Sequence, residues 1–303
     1  MPKTKHALFI AIVAVVVSIF WRPLWILSAL SIHRDEYSHI VFIPLIVISL
    51  IYWRRRTVFA NSVFPTYAGA IFLFVGLTLY GLTTKFSGTS AEPNIPSLSL
   101  SIIGCIVSCV GALLLSYGWS AVRASLFPLG CLFFAVPLPD FMLTRLVYGL
   151  QQGSSDVAAL LLRTFGVHFF RYGLVFQLSG FTIEVAPECS GIRSSIALLI
   201  STVLLSQFLL RSNWRKLALC MFVLPLAMFK NGLRIATLST LSVYVSRDFL
   251  YGWLHHSGGV VFFLIGIAFI YLALRVFQFN ERPFVPGTDR AASVSQSARK
   301  AEI

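Results

Sequence analysis

Apolar runs long enough to cross a bilayer recur along this chain, separated by short polar and basic gaps. Stretches near 7–21, 38–53, 67–83, 97–116, 121–137, 191–210, 216–232 and 257–277 predict about eight α-helical spans. The rhythm breaks between Asp140 and Ser190. There Leu146, Leu150, Val157 and Leu161 form one apolar face over 144–166, which predicts a helix lying along the membrane surface. Residues 170–185 then read as two strands around a Ser179-Gly180 turn, a small β-hairpin outside the membrane. The predicted fold class is therefore an all-α polytopic membrane protein with one extracytoplasmic β-hairpin. A single membrane domain covers 1–277, and the polar segment 278–303, rich in Ser and Ala, reads as a disordered cytoplasmic tail.

Composition fits this pattern. Hydrophobic residues make up 57% of the 303 and charged residues 12%, too little charge to coat a soluble globule of this size. The 24 Lys and Arg outweigh the 11 Asp and Glu, but they sit in short gaps between apolar runs rather than in one block. Membrane topology accounts for that bias better than nucleic-acid binding, so no nucleic-acid partner is expected. Lys3 and Lys5, Arg54 to Arg56, Arg123, Arg211 with Arg215 and Lys216, and Arg275 fall on one side if the spans alternate. The positive-inside rule makes that side cytoplasmic and puts 33–39, 84–96 and 140–190 on the other. Trp21-Arg22-Pro23, rather than a small-residue cleavage site, follows the first apolar run, which predicts a retained span.

The alternation also gathers chemistry on one face. Four of the five cysteines lie inside apolar runs and read as inert packing thiols; Cys189 does not. It stands between the hairpin and the sixth span, where unpaired helix N–H groups favour a thiolate, with Glu188, Ser190 and Arg193 as polar neighbours. The bland alternative is one more buried thiol. Arg234 closes the seventh span and is either an interfacial anchor or a functional cation, with Asn231 three residues earlier on the same helical face. His255 and His256 enter the eighth span, and supply a base titrating near neutrality or else a mere interfacial ring. A thiol, a guanidinium and an imidazole from three spans are the parts required for acyl transfer. Residues 34–39, with Tyr37, Ser38 and His39, are placed to bind substrate or to cap the second span. The cysteines and histidines lack ligand spacing, so neither a metal nor an organic cofactor is expected.

At these residues the chain resembles the exosortase/archaeosortase family of membrane-embedded cysteine transpeptidases. The resemblance rests on Tyr37-Ser38-His39, Pro137-Leu138-Pro139, Cys189-Ser190-Gly191-Ile192-Arg193, Asn231-Gly232-Leu233-Arg234, and His255 four residues before Gly259. It implies Cys189 as nucleophile, Arg234 as the catalytic arginine and His255 as the histidine, with His256 the runner-up. It further implies a bacterial cytoplasmic membrane location with the site on the outer side. The implied partners are secreted proteins ending in a short recognition motif such as Pro-Glu-Pro, a transmembrane helix and a basic tail. Membrane lipid surrounds the enzyme, and an amine on a surface glycan or lipid is the implied acceptor. Two rival classes remain. A non-catalytic component of polysaccharide export would not need the thiol, and a transporter would place its ionisable groups near the bilayer midplane rather than at span ends.

Overall fold

The computed structural model describes residues 2–59, 67–86, 94–246 and 258–279. The chain opens with α1 (Pro2–Ile19) and α2 (Trp21–His33), followed by a 3-10 turn (Asp35–Tyr37), α3 (Phe42–Trp53), the short α4 (Arg55–Val58), and α5 (Ala68–Phe86). Next come α6 (Ile95–Tyr117), the short α7 (Trp119–Ala124) and α8 (Leu126–Cys131), and α9 (Asp140–Thr164). Strands β1 (Phe169–Tyr172), β2 (Val175–Leu178) and β3 (Phe181–Glu184) precede α10 (Ile192–Leu209), α11 (Asn213–Tyr244) and α12 (Gly258–Phe279).

By length and composition, five helical segments among the described residues can cross a membrane: Asp35–Trp53, Ile95–Tyr117, Ile192–Leu209, Asn213–Tyr244 and Gly259–Phe279. Two bent pairs raise the number to seven if each is one span: Thr4–Ile19 with Trp21–His33, bent by 70°, and Leu126–Ala135 with Asp140–Thr164, bent by 89°. The protein is thus a multi-pass helical membrane protein with five to seven candidate spans, where the apolar runs suggested about eight. Three of the predicted spans differ, the first being the 7–21 run, which forms α1 and reaches spanning length only together with α2 across the 70° bend. The 67–83 run forms α5, but its apolar part, Ala68–Thr83, is shorter than a full crossing. The 121–137 run breaks into α7, α8 and a 3-10 turn (Leu132–Ala135), because Pro128, Pro137 and Pro139 interrupt the helical ladder. Bulky apolar side chains such as Ile48, Phe74, Met221 and Leu264 remain exposed on the helices, as a lipid-facing surface requires.

Close helix packing comes from small residues. A Cβ on Gly76 would lie 2.5 Å from the carbonyl of Gly104, and one on Gly111 would lie 2.8 Å from the carbonyl of Gly69, so α5 and α6 touch backbone to backbone. The same device joins α9 to α11. Buried Ser154, Ser155, Ala158 and Ala159 form the stripe of α9 that faces inward, more deeply than the expected Leu146, Val157 and Leu161. Helix α9 packs along α11 and against the sheet rather than lying alone on a membrane surface.

The predicted hairpin is a three-stranded antiparallel meander in the order β1-β2-β3. The second turn is the expected one, with Leu178 opposite Phe181; the first, at Gly173-Leu174, sets Tyr172 opposite Val175 and adds a strand. Gly173 at φ +61° and Gly180 at φ +91° permit these tight reversals. Phe176, Leu178 and Val185 form one buried cluster with Ala158 and Leu162 of α9 and with Ile235 and Ala236 of α11. An ion pair of 2.8 Å between Arg171 and Asp156 pins β1 to α9.

Helix α11 does not stop at residue 232. It is 32 residues long, about 48 Å at 1.5 Å per residue. Arg234 lies about 32 Å along it from Asn213, close to the roughly 30 Å thickness of a hydrocarbon core. The remaining turns, to Tyr244, extend beyond that level and pack against α9 and the sheet.

Candidate active site

Cys189 lies in a single 3-10 turn, Pro187–Ser190, together with Glu188. Its N–H donates to the carbonyl of Ala186 at 2.9 Å, and Gly191 then takes a left-handed conformation (φ +72°, ψ 18°) before α10 begins at Ile192. Proline at the start of this turn and glycine at its end fix the thiol just ahead of a helix N-terminus, where the sequence placed it. The carbonyl of Gly191 accepts hydrogen bonds from the hydroxyls of Ser194 and Ser195, which closes the first turn of α10.

Asn231 and Arg234 come from the middle of α11. Asn231 is buried, and its Nδ2 donates to the carbonyl oxygen of Cys189 at 2.8 Å. A Cβ at Gly191 would lie 3.0 Å from Asn231 Oδ1, so glycine is required there both by the positive φ and by the approach of the amide. Arg234, about one turn further on, lines a cavity of about 50 Å³ with Cys189, Asn231, Ile183, Glu184, Val185, Ile235, Leu238 and Ser239. The cavity lies between β3 and α11. Its remaining walls are largely apolar, an environment in which a guanidinium acts on developing negative charge with little competition from water.

The other expected residues fall in different places. Ser190 is buried, and its Oγ accepts the N–H of Ile192 at 3.3 Å, a local cap. Arg193 does not line the cavity; its Nη1 donates to Asp35 at 3.0 Å in an exposed ion pair. That pair ties the 34–39 segment to the start of α10. Within that segment, Tyr37 is buried and its hydroxyl donates to the carbonyl of Leu138 at 2.9 Å. Ser38 Oγ donates to Asp35 O at 2.8 Å, and His39 Nε2 lies 3.1 Å from Phe134 O. Ser99 Oγ donates to Pro137 O at 2.6 Å, so the Pro137-Leu138-Pro139 segment is held from two sides. The structure thus puts Tyr37 and His39 in contact with the bend before α9 and outside the cavity lining. His255 and His256 lie outside the described residues.

Two residues beside the site, Gln151 and Lys230, carried no recognisable motif. Gln151 of α9 is buried and donates Nε2 to Val185 O at 2.6 Å, holding the exit of β3 beside the cavity. Lys230 is 3% exposed, and its ammonium donates to the hydroxyl of Ser194, linking α11 to α10 one residue before Asn231. Gly232 of the Asn-Gly-Leu-Arg segment is a packing glycine: a Cβ there would meet Val157 Cβ at 2.6 Å and Ser154 O at 2.8 Å. Asn231 is legible from its place three residues before Arg234 on the same helical face. Gln151, on a helix expected to lie at a surface, offered no such sign.

Among the described residues, no three His, Cys, Asp or Glu side chains converge on a point where a metal ion would sit. No curated protein and no solved structure gave a significant match to the chain. A family model does match, that of the transmembrane exosortases, over residues 25–272. The match takes in the Cys189 turn, the whole of α11 and most of α12, and the chain belongs to the transmembrane exosortase family.

Proposed function

We propose that this protein is a cysteine transpeptidase that cleaves the C-terminal sorting signal of exported proteins and passes them to an amine acceptor at the cell surface. The observation that carries the reading is that Cys189 and Arg234, remote in sequence, line one cavity, with Asn231 bonded to the Cys189 carbonyl. The Cys189 thiolate attacks the carbonyl carbon of the scissile peptide, and the Arg234 guanidinium stabilises the resulting oxyanion. As the tetrahedral intermediate collapses, the C–N bond breaks and protonated His255, or His256 in its place, gives its proton to the departing amine. This leaves a thioester on Cys189. The amine of a surface glycan or lipid attacks that thioester, loses a proton to the histidine and releases the thiolate; water is the lesser acceptor. We take the sidedness from the basic gaps of the sequence, which support a site on the extracytoplasmic face of the cytoplasmic membrane.

The test uses an exported reporter that ends in a Pro-Glu-Pro motif, an apolar helix and a basic tail, co-expressed with the full chain. Wild type is expected to shorten the reporter, and Cys189→Ala to leave it uncut at equal enzyme abundance. A Cys189→Ala variant that processes the reporter normally would falsify the mechanism and favour a non-catalytic role in polysaccharide export.

A further inference from the structure

Strand β3 ends five residues before Cys189 and, among the described residues, is an edge strand bonded within the sheet to β2 alone. The direction of its backbone groups follows from one bond. Val185 N–H donates to Leu174 O at 3.0 Å, towards β2. In an antiparallel strand, alternate residues direct both N–H and C=O to the same side. Phe181 and Ile183 therefore face β2, as does the Val185 N–H, the Val185 carbonyl being taken by Gln151 of α9, while Thr182 and Glu184 direct their N–H and C=O to the open edge. Thr182 and Glu184 are also the exposed side chains of the strand. Ile183, Glu184 and Val185 line the cavity together with Cys189 and with Arg234, Ile235, Leu238 and Ser239 of α11, so the strand that offers this edge also walls the candidate site.

An edge strand with outward-directed amides is a template for an extended peptide, and natural proteins usually blunt such edges unless they are used. Here the edge is four residues long and leads straight to the candidate nucleophile. We propose that the open edge of β3 docks the substrate segment on the N-terminal side of the cleaved bond, which adds to the sheet as a fourth strand and presents its carbonyl to Cys189. This rests on the transpeptidase reading. The sheet packs on the part of α11 beyond Arg234, so a chain descending from an exported domain meets β3 before it reaches Cys189. The docked segment consequently runs parallel to β3. Main-chain bonds to Thr182 and Glu184 supply binding that tolerates varied side chains, and the cavity receives the residue nearest the cut.

The experiment uses the full chain carrying Cys189→Ala and Thr182→Cys, co-expressed with the same reporter bearing a single cysteine moved through the eight positions before the cut. Mild oxidation is expected to give disulfides at alternate reporter positions, at least about fivefold above their neighbours, because side chains of an added strand reach one face every second residue. Cross-links at three- and four-residue spacing, at all positions alike, or at none would overturn the docking. Thr182→Pro in the otherwise wild-type chain removes an outward N–H without touching the β2 ladder. It should slow processing roughly tenfold or more, and unchanged processing by a protein of normal abundance overturns the proposal. Cys189→Ala alone, scored for processing, reports separately on the catalytic reading. If processing needs Cys189 but no two-residue pattern appears, the docking fails and the chemistry stands.

Discussion

The side-chain amide of Asn231 donates to the backbone carbonyl of Cys189 at 2.8 Å, so the helix that carries Arg234 also holds the turn that carries the thiol. Two halves of the candidate site, 42 residues apart, are thereby fixed to each other by one neutral, part-buried hydrogen bond. Asn231→Asp keeps the shape but replaces the donor with an acceptor facing a carbonyl. It is expected to slow reporter processing by roughly a hundredfold, the scale on which small misplacements of reacting groups act. Cys189 should still react with a maleimide in the folded variant, which separates a positioning role from loss of the thiol. Equal processing by Asn231→Asp and wild type would show that the amide bond does not set the position of Cys189.

Gly191→Ala tests the other side of the same contact. A left-handed backbone costs a non-glycine residue about 1–2 kcal/mol, and the new Cβ would stand 3.0 Å from Asn231 Oδ1. Both processing and thermal stability in detergent should fall, with Gly191→Ala no better than Asn231→Ala for processing. A stable, active Gly191→Ala enzyme would mean that the turn relaxes without cost.

Much of this candidate site is legible in the sequence alone, and what is not legible has physical causes. Cys189, Arg234 and Asn231 stood out because polar residues at the ends of apolar runs are few and costly. The end of α11 was misplaced because the apolar run gives out at Lys230-Asn231-Gly232. In the structure the helix continues, since Asn231 has a partner on the Cys189 turn and Gly232 lets α9 approach, so packing overrides local propensity. The third strand hinged on reading Gly173-Leu174 as a reversal inside what looked like a continuous strand. Buried Gln151 and Lys230 were not legible, because their partners Val185 and Ser194 lie 34 and 36 residues away, and nothing local announces such a bond.

Gly232→Ala should destabilise the protein although it improves helix propensity. The added methyl would sit 2.6 Å from Val157 Cβ and 2.8 Å from the backbone carbonyl of Ser154. Overpacking of this kind costs about 1–3 kcal/mol. Because one obstacle is backbone, shortening Val157 to Ala should restore little. Thermal unfolding in detergent of Gly232→Ala, alone and with Val157→Ala, measures this; an unchanged midpoint in the single variant would show that α9 and α11 are not locked at this level.

Tyr37→Phe separates substrate binding from support of the fold. The hydroxyl donates to Leu138 O at 2.9 Å from a buried position. Its loss should cost about 1 kcal/mol of stability, seen as a lower unfolding midpoint, while the reporter concentration needed for half-maximal processing stays the same. A rise in that concentration at unchanged stability would instead assign Tyr37 to the substrate.

Arg193 was expected to add positive charge beside the thiol, yet its guanidinium reaches Asp35 at 3.0 Å and takes no part in the cavity wall. Both side chains of the pair are largely exposed, at 65% and 82%. Such pairs contribute roughly 0–1 kcal/mol, and salt weakens them further. Arg193→Gln should therefore process the reporter within about fivefold of wild type, because a screened charge worth at most about one kcal/mol moves a rate by no more than that. Arg234→Gln, by contrast, removes the one arginine among the described residues of the cavity lining and should reduce processing by about two to three orders of magnitude, the usual consequence of deleting an oxyanion donor. The comparison is informative because the two substitutions are chemically identical and differ only in where the guanidinium lies. Equal losses from both would mean that Arg193 acts on the thiol through the field at the start of α10, and the division of roles between the two arginines would have to be redrawn.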